Sequence, residues 1–178
     1  IGGSPGRMET VRANPLANVL INEFLARSVA PDFDFIELYN HGNAEVTVAG
    51  CILTDDATKD RFRIPEGTVI PPRGFLAFDR AQLGFGLKAA GERLYLLDSE
   101  ATRVLDAVRY GPQAGNVAAG RFPDGAPGFR QLTQPSPGNA NQPFQISAVA
   151  INEIMHNPIS GEDGDEFVEL HNRGADPV

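Results

Sequence analysis

An all-β fold, an antiparallel β-sandwich or small barrel, is the architecture this chain predicts. Three observations carry it. Apolar-rich runs of four to eight residues recur at about 10-residue spacing, with turn signals between them. No segment sustains the 3.6-residue period of an amphipathic helix. The 19 glycines and 14 prolines stand mostly as single punctuation marks, which suits many short strands.

Residues 1–18 form a Gly/Pro/polar lead without periodicity and read as linker. Residues 19–26 are the first strand, 27–32 a loop and 33–40 the second strand. In the second, Ile36 and Leu38 point to one face and Phe35, Glu37 and Tyr39 to the other. Asn40-His-Gly-Asn43 supplies turn chemistry, since Asn and Gly adopt positive φ cheaply. Residues 45–48 and 50–54 are short strands, with Gly50 marking a bulge or close approach. Residues 55–60 are a polar turn, and 61–64 alternate as a strand. A further short strand lies between Gly67 and Pro71, and residues 74–79 are a strong one anchored by Phe75 and Phe78. Residues 80–91 are a loop with one helical turn, and 93–98 pairs with 103–110 as a hairpin. Residues 121–125 make a short strand and turn, 129–133 a weak last strand, and 135–141 close the domain.

The chain then begins again. Val19-Leu-Ile-Asn-Glu23 returns as Val149-Ala-Ile-Asn-Glu153, and Phe35-Ile-Glu-Leu-Tyr-Asn40 returns as Phe167-Val-Glu-Leu-His-Asn172. The offset, about 130 residues, is the size of a domain and far longer than a solenoid repeat. The expected organisation is a linker (1–18), one complete domain (19–141), a linker (142–148) and the first two strands of a second, truncated copy (149–178). The chain is therefore expected to be a piece of a longer protein. An isolated hairpin is marginal in water. Residues 149–178 are accordingly expected to pair with an exposed sheet edge or to be held by a neighbouring molecule, through strand exchange or a dimer.

Net charge is −8, unevenly placed. Residues 1–141 hold 14 basic and 16 acidic side chains, whereas residues 142–178 hold one and seven. The acidic end would repel a phosphate backbone, and the rest would not strongly attract one. The single cysteine, Cys51, excludes an intrachain disulfide framework or thiolate zinc site and reads as a small core residue. No stretch reads as a signal peptide, and none is long enough to span a bilayer.

Several motifs together resemble the lamin tail domain in its bacterial, secreted form. They are Ile21-Asn-Glu23, Asp34-Phe-Ile-Glu-Leu-Tyr-Asn40 and Val48-Ala-Gly-Cys-Ile-Leu-Thr-Asp55, then Phe62-Arg-Ile-Pro65 and Pro71-Pro-Arg-Gly-Phe-Leu-Ala-Phe-Asp79. Gly86-Leu87, Gly91, Leu94-Tyr-Leu-Leu-Asp98, Arg121-Phe-Pro-Asp-Gly125 and Pro135-Ser-Pro-Gly-Asn-Ala-Asn141 complete the set over residues 19–141. The resemblance implies an immunoglobulin-like sandwich that sits beside other domains in exported proteins such as nucleases, phosphatases and kinase-like proteins. It implies a binding or architectural module, located outside the cell or in its envelope, with no shared catalytic residues. The related animal domain binds protein partners and DNA. The family often carries Trp where Cys51 stands, so the core there must be filled differently.

The candidate sites each have a structural reading beside a functional one. A half-buried carboxylate is costly unless bonded, so Glu37 reads as bonded to backbone N–H groups or an arginine, with Asn22 and Asn40 fixing nearby loops. A ligand or metal role is the alternative. Arg121 is placed to anchor a turn through Asp124. Asp55, Asp56 and Asp60 read as a polar turn, since their spacing does not match a calcium loop. Asp163 and Asp165 match part of such a loop, with the remaining ligands missing, and make Ca2+ a weak alternative to a solvated loop. His41, His156 and His171 form no metal or catalytic spacing, and the glycines at 84, 86 and 91 form no phosphate-binding fingerprint. Arginine outnumbers lysine 13 to 2. Arg61, Arg63 and Arg73 are the candidate anion patch, with pairing to Asp60 or Glu66 as the alternative. The expected function is a non-catalytic module for a protein or cell-surface partner. The second reading is an accessory domain that grips nucleic acid or another polyanion for an attached enzyme.

Overall fold

A computed structural model describes residues 14–30, 33–146, 148–175 and 177. The chain divides into two compact units, Ile1–Phe144 and Gln145–Val178.

The described part of the first unit opens with a 3-10 turn, Pro15–Asn18, capped by the Asn14 side chain accepting from the Leu16 N–H. Leu16 packs on the core. The end of the expected linker thus belongs to the domain. Eleven strands follow: β1 (Val19–Leu25), β2 (Phe35–Asn40), β3 (Val46–Thr47), β4 (Ile52–Thr54), β5 (Phe62–Arg63), β6 (Val69–Ile70), β7 (Phe75–Asp79), β8 (Glu92–Leu97), β9 (Val104–Tyr110), β10 (Ala119–Arg121) and β11 (Phe129–Gln131). The one helical turn, α1 (Arg80–Leu83), starts on a capping box between Asp79 and Gln82 and stops at Gly84, whose φ is 71°.

Two antiparallel sheets face each other, ordered β11-β10-β1-β2-β7 and β5-β4-β8-β9, with β3–β6 as a small ribbon. The core between them draws Ile21, Phe24, Ile36 and Leu38 from the first sheet and Leu53, Leu94, Leu96 and Val108 from the second. Cys51 lies in this core, and burial pushes its thiol up. The fold is therefore the expected immunoglobulin-like sandwich.

A bulge in β1 organises the first sheet. Ile21 faces Leu38 and Glu23 faces Glu37, so Asn22 is an extra residue with no cross-strand partner. The alternation shifts by one there. Ile21 and Phe24, three apart, both enter the core, while Glu23 and Leu25 turn outward with Glu37 and Phe35. That outer face is not open to water. Leu25, Phe35, Ala118 and Leu132 form a second buried cluster on it, packed by Phe122, and Leu132 bridges to Phe144. The first sheet is thus covered on both faces. Residues 142–144, expected as linker, belong to this cover.

The expected strand at 121–125 lies earlier, at Ala119–Arg121. Its ladder is set by pairing Gly120 with Glu23 and Ala119 with Phe24. Gly120 is required there, because a Cβ would sit 2.6 Å from the Asn141 amide nitrogen and 2.7 Å from the Leu132 Cδ1.

The second unit contains β12 (Val149–Met155), a 3-10 turn (Asp163–Asp165) and β13 (Phe167–Asn172), paired as an antiparallel hairpin.

Candidate functional site

Three of the polar residues singled out in the sequence, Asn22, Glu37 and Asp124, come together on the outer face of the first sheet. Glu37 is fully buried, and its carboxylate accepts from the Asn22 side-chain amide at 3.2 Å and from the Gly138 N–H at 2.7 Å. Glu23, its cross-strand neighbour, is equally buried and accepts from the Ser136 N–H at 3.0 Å and the Ser136 hydroxyl at 2.8 Å. Asp124 accepts from the Asn22 amide at 2.9 Å and the Asn141 N–H at 3.0 Å. Asn141 in turn donates to the carbonyls of Asn22 and Arg121. The segment around residues 134–141 is therefore a strap, tied across β1 and β2 by side chains from both strands.

Two like carboxylates directly opposite each other in a buried ladder are costly unless neutralised or bonded. Burial raises Glu23 to about 7 and Glu37 to about 8, against an ordinary value of 4.5, while the donated hydrogen bonds pull both back down. Perturbed carboxyls of this kind occur at active sites. These two lie at 0% exposure beneath the strap, where a substrate cannot reach them. Their arrangement holds a structure together.

Arg121 does anchor a turn, through the Ala126 carbonyl at 2.7 Å, and not through Asp124. Its other nitrogens reach the Ile21 carbonyl at 2.8 Å and Asp106 at 3.1 Å, and Asp106 also accepts the Ile21 N–H at 2.9 Å. The β10 ladder stops at Glu23, so these side chains complete the backbone pairing of Ile21 and tie β1 to β9. Asn40 is buried and donates to the carbonyls of Ala44, Ile70 and Pro71, while its own oxygen accepts from the Gly42 N–H. It fixes the turn after β2.

The candidate anion patch is dispersed. Arg61 is paired with Asp55 at 3.0 Å and Arg63 with Asp60 at 2.7 Å. Arg63 also donates to the carbonyls of Gly50 and Ser99. Arg73 reaches instead to the Asn43 side chain. A different pair stands free. Arg93 and Arg109 are directly opposite across β8 and β9, both are exposed, and neither has an ion-pair partner among the described residues. They line a surface depression of about 560 Å3 together with Gly91, Glu92, Tyr110 and Gly111.

Asp56 is tied to Lys59 and Thr58 in a polar turn. In the second unit Asp165 accepts from the Ser160 hydroxyl at 2.5 Å, and Asp163 opens the same turn. Among the described residues no three His, Cys, Asp or Glu side chains converge as a metal site. A groove of about 590 Å3 runs beside the edge strand β7, lined by Phe33, Phe35, Ala77, Gln82, Pro135 and Pro137. Phe33 is 67% exposed at its rim. No described helix is long and apolar enough to cross a membrane.

Sequence reasoning missed Glu23, Asp106, Ser136 and Arg93 with Arg109. Glu23 had a signal, since Ile-Asn-Glu is repeated at residues 151–153. Asp106 had none, because its partners lie on another sheet.

No curated protein and no solved structure matches the chain. The lamin tail domain, an immunoglobulin-like and non-catalytic fold, matches residues 12–112, from the lead into β1 through the end of β9. The facing sheets and this match over more than half of the sequence place the chain in the lamin tail domain family.

Proposed function

We propose that the first unit is a binding and architectural module of a larger exported protein, contacting a protein or cell-surface partner. The observation that carries this reading is the division of labour among its side chains. The buried groups Glu23, Glu37 and Arg121 and the half-buried Asp124 are all consumed in holding the strap and the two sheets. What remains exposed is a rigid surface with an apolar groove beside a sheet edge, at Phe33, Pro135 and Pro137. Exposed edges and loops on a rigid frame are the usual seats of protein recognition. The extracellular setting rests on the resemblance to the secreted bacterial form. The test is binding of the labelled chain to intact source cells or their envelope. Phe33→Asp should cut binding about tenfold or more while leaving the unfolding midpoint unchanged. Equal binding by both forms removes the groove from the account.

Arg93 and Arg109 favour a second reading, contact with nucleic acid or another polyanion. Like charges directly opposite in a ladder destabilise it, and neither arginine has an ion-pair partner among the described residues. Anisotropy with a labelled DNA duplex across a salt series decides it. Genuine phosphate contacts give a slope near −0.9 per contact, reduced in Arg93→Ala/Arg109→Ala. Absence of binding at low salt ends this reading.

A further inference from the structure

The hairpin β12–β13 repeats β1–β2 residue for residue. Val149 faces Asn172, Ile151 faces Leu170 and Glu153 faces Glu169, with Asn152 bulged between, as Val19 faces Asn40, Ile21 faces Leu38 and Glu23 faces Glu37, with Asn22 bulged. The Asn152 amide donates to Glu169 as the Asn22 amide donates to Glu37. The Arg173 N–H reaches the Ala148 carbonyl as the His41 N–H reaches the Asn18 carbonyl. The Gly174 N–H caps Asn172 at 2.9 Å, and the Gly42 N–H caps Asn40 at 2.9 Å.

The bulge brings Ile151, Ile154, Val168 and Leu170 to one face, where each is 58–63% exposed. Their counterparts Ile21, Phe24, Ile36 and Leu38 are fully buried. Four large apolar side chains gathered on one face of a two-stranded ribbon are not stable uncovered in water.

We infer that β12–β13 is a docking surface for the body of a second lamin-tail sandwich, the part that in the first unit runs over residues 44–144. The first unit serves as the template for what covers it. One face meets a facing sheet like β5-β4-β8-β9. The other, carrying Glu153 and Glu169, meets a strap whose Ser and Gly N–H groups stand where Ser136 and Gly138 stand. An apolar partner alone would bury those two carboxylates with only the Asn152 amide to serve them, so it does not fit. The turn argues that the body is supplied in tandem, by the polypeptide that follows the hairpin. Asn172 and Gly174 rebuild the turn that in the first unit leads directly into β3. This inference stands apart from the partner proposed above.

The test is a full-length variant in which residues 19–40 are replaced by residues 149–172. The expected result is a first unit that still unfolds in one sigmoidal urea transition, at a lower midpoint. Within that graft, Glu169→Ala should lower the midpoint as much as Glu37→Ala does in the unaltered chain. A graft that does not fold overturns the inference if it also fails after Ile154→Phe, which restores the ring that Phe24 packs against Tyr110 and Phe129. A graft that folds but is indifferent to Glu169→Ala overturns the strap half of the inference. Light scattering on the unaltered chain tests the tandem source. A monomer at all concentrations is expected, and a stable dimer exchanging its hairpins overturns tandem supply.

Discussion

The hairpins β1–β2 and β12–β13 share a register, a bulge and an Asn–Glu hydrogen bond, yet Leu38 is fully buried and Leu170 is 63% exposed. The shared features are local. Side-chain alternation, the Ile-Asn-Glu bulge and the Asn-x-Gly turn all lie within about 25 residues of sequence in each copy. The differing feature is not local. Leu38 owes its burial to Leu53, Leu94 and Leu96 on the facing sheet, and Glu37 owes its donor to Gly138 in the strap. Geometry in this fold is thus written into the hairpin, while the energy of the same residues is set elsewhere.

Paired substitutions test that separation directly. Leu38→Ala should destabilise the first unit by about 3 kcal/mol, as a cavity in a closed core does, whereas Leu170→Ala should change that unit's stability, read from its urea transition, by less than about 0.5 kcal/mol. Equal effects would mean that the two hairpins share one cover.

Glu37→Ala comes next. It leaves the Gly138 N–H and the buried Asn22 amide short of an acceptor, at a cost of about 2 kcal/mol, while Glu169→Ala should leave the same transition in place. Hydrogen exchange at Gly138 is the sharper readout, since it should accelerate in the first variant and not in the second.

The pH dependence follows from the buried pair. In the unfolded chain both carboxyls lose their protons near the ordinary value of 4.5, but in the sandwich they hold them to about 7 and about 8. Between those limits the folded state binds more protons, so stability present below pH 4.5 is lost as pH rises through the window. The loss should be on the order of a few kcal/mol. It should flatten in Glu23→Gln/Glu37→Gln, measured as urea midpoints from pH 5 to pH 8.5. A midpoint that climbs over this range would contradict the burial argument.

The smallest effect concerns the exposed arginines. Arg109→Thr should raise stability by a few tenths of a kcal/mol, by relieving repulsion from Arg93 and adding a β-branched residue to the ladder.

What the sequence disclosed follows the same division. The alternation of Ile36 and Leu38 against Phe35 and Glu37, the turn at Asn40 and the core placement of Cys51 were legible, because each depends on neighbours a few residues away. The partner of Glu23 was not, since Ser136 is 113 residues distant. Arg121 anchors a turn, but it does so from the end of β10 through the Ala126 carbonyl rather than through Asp124, and its ionic partner Asp106 comes from the facing sheet. The placing of Arg93 opposite Arg109 depends on a hairpin register whose irregularity, between Leu96 and Leu97, carries no Gly or Pro to announce it. The three arginines that sequence proximity grouped are separated because each has a nearer oxygen to bind.

The odd residue at Asn22 has a consequence for how such strands tolerate change. Deleting it would set Ile21 beside Glu23 in strict two-residue alternation, with Ile21 and Phe24 still turned to the core and Glu23 still opposite Glu37. The inward pattern would survive. What would go is the amide that joins Glu37 to Asp124 and the oxygen that accepts from the Gly125 N–H. The extra residue is thus present for its side chain, so a single-codon deletion and Asn22→Ala should do harm by the same route.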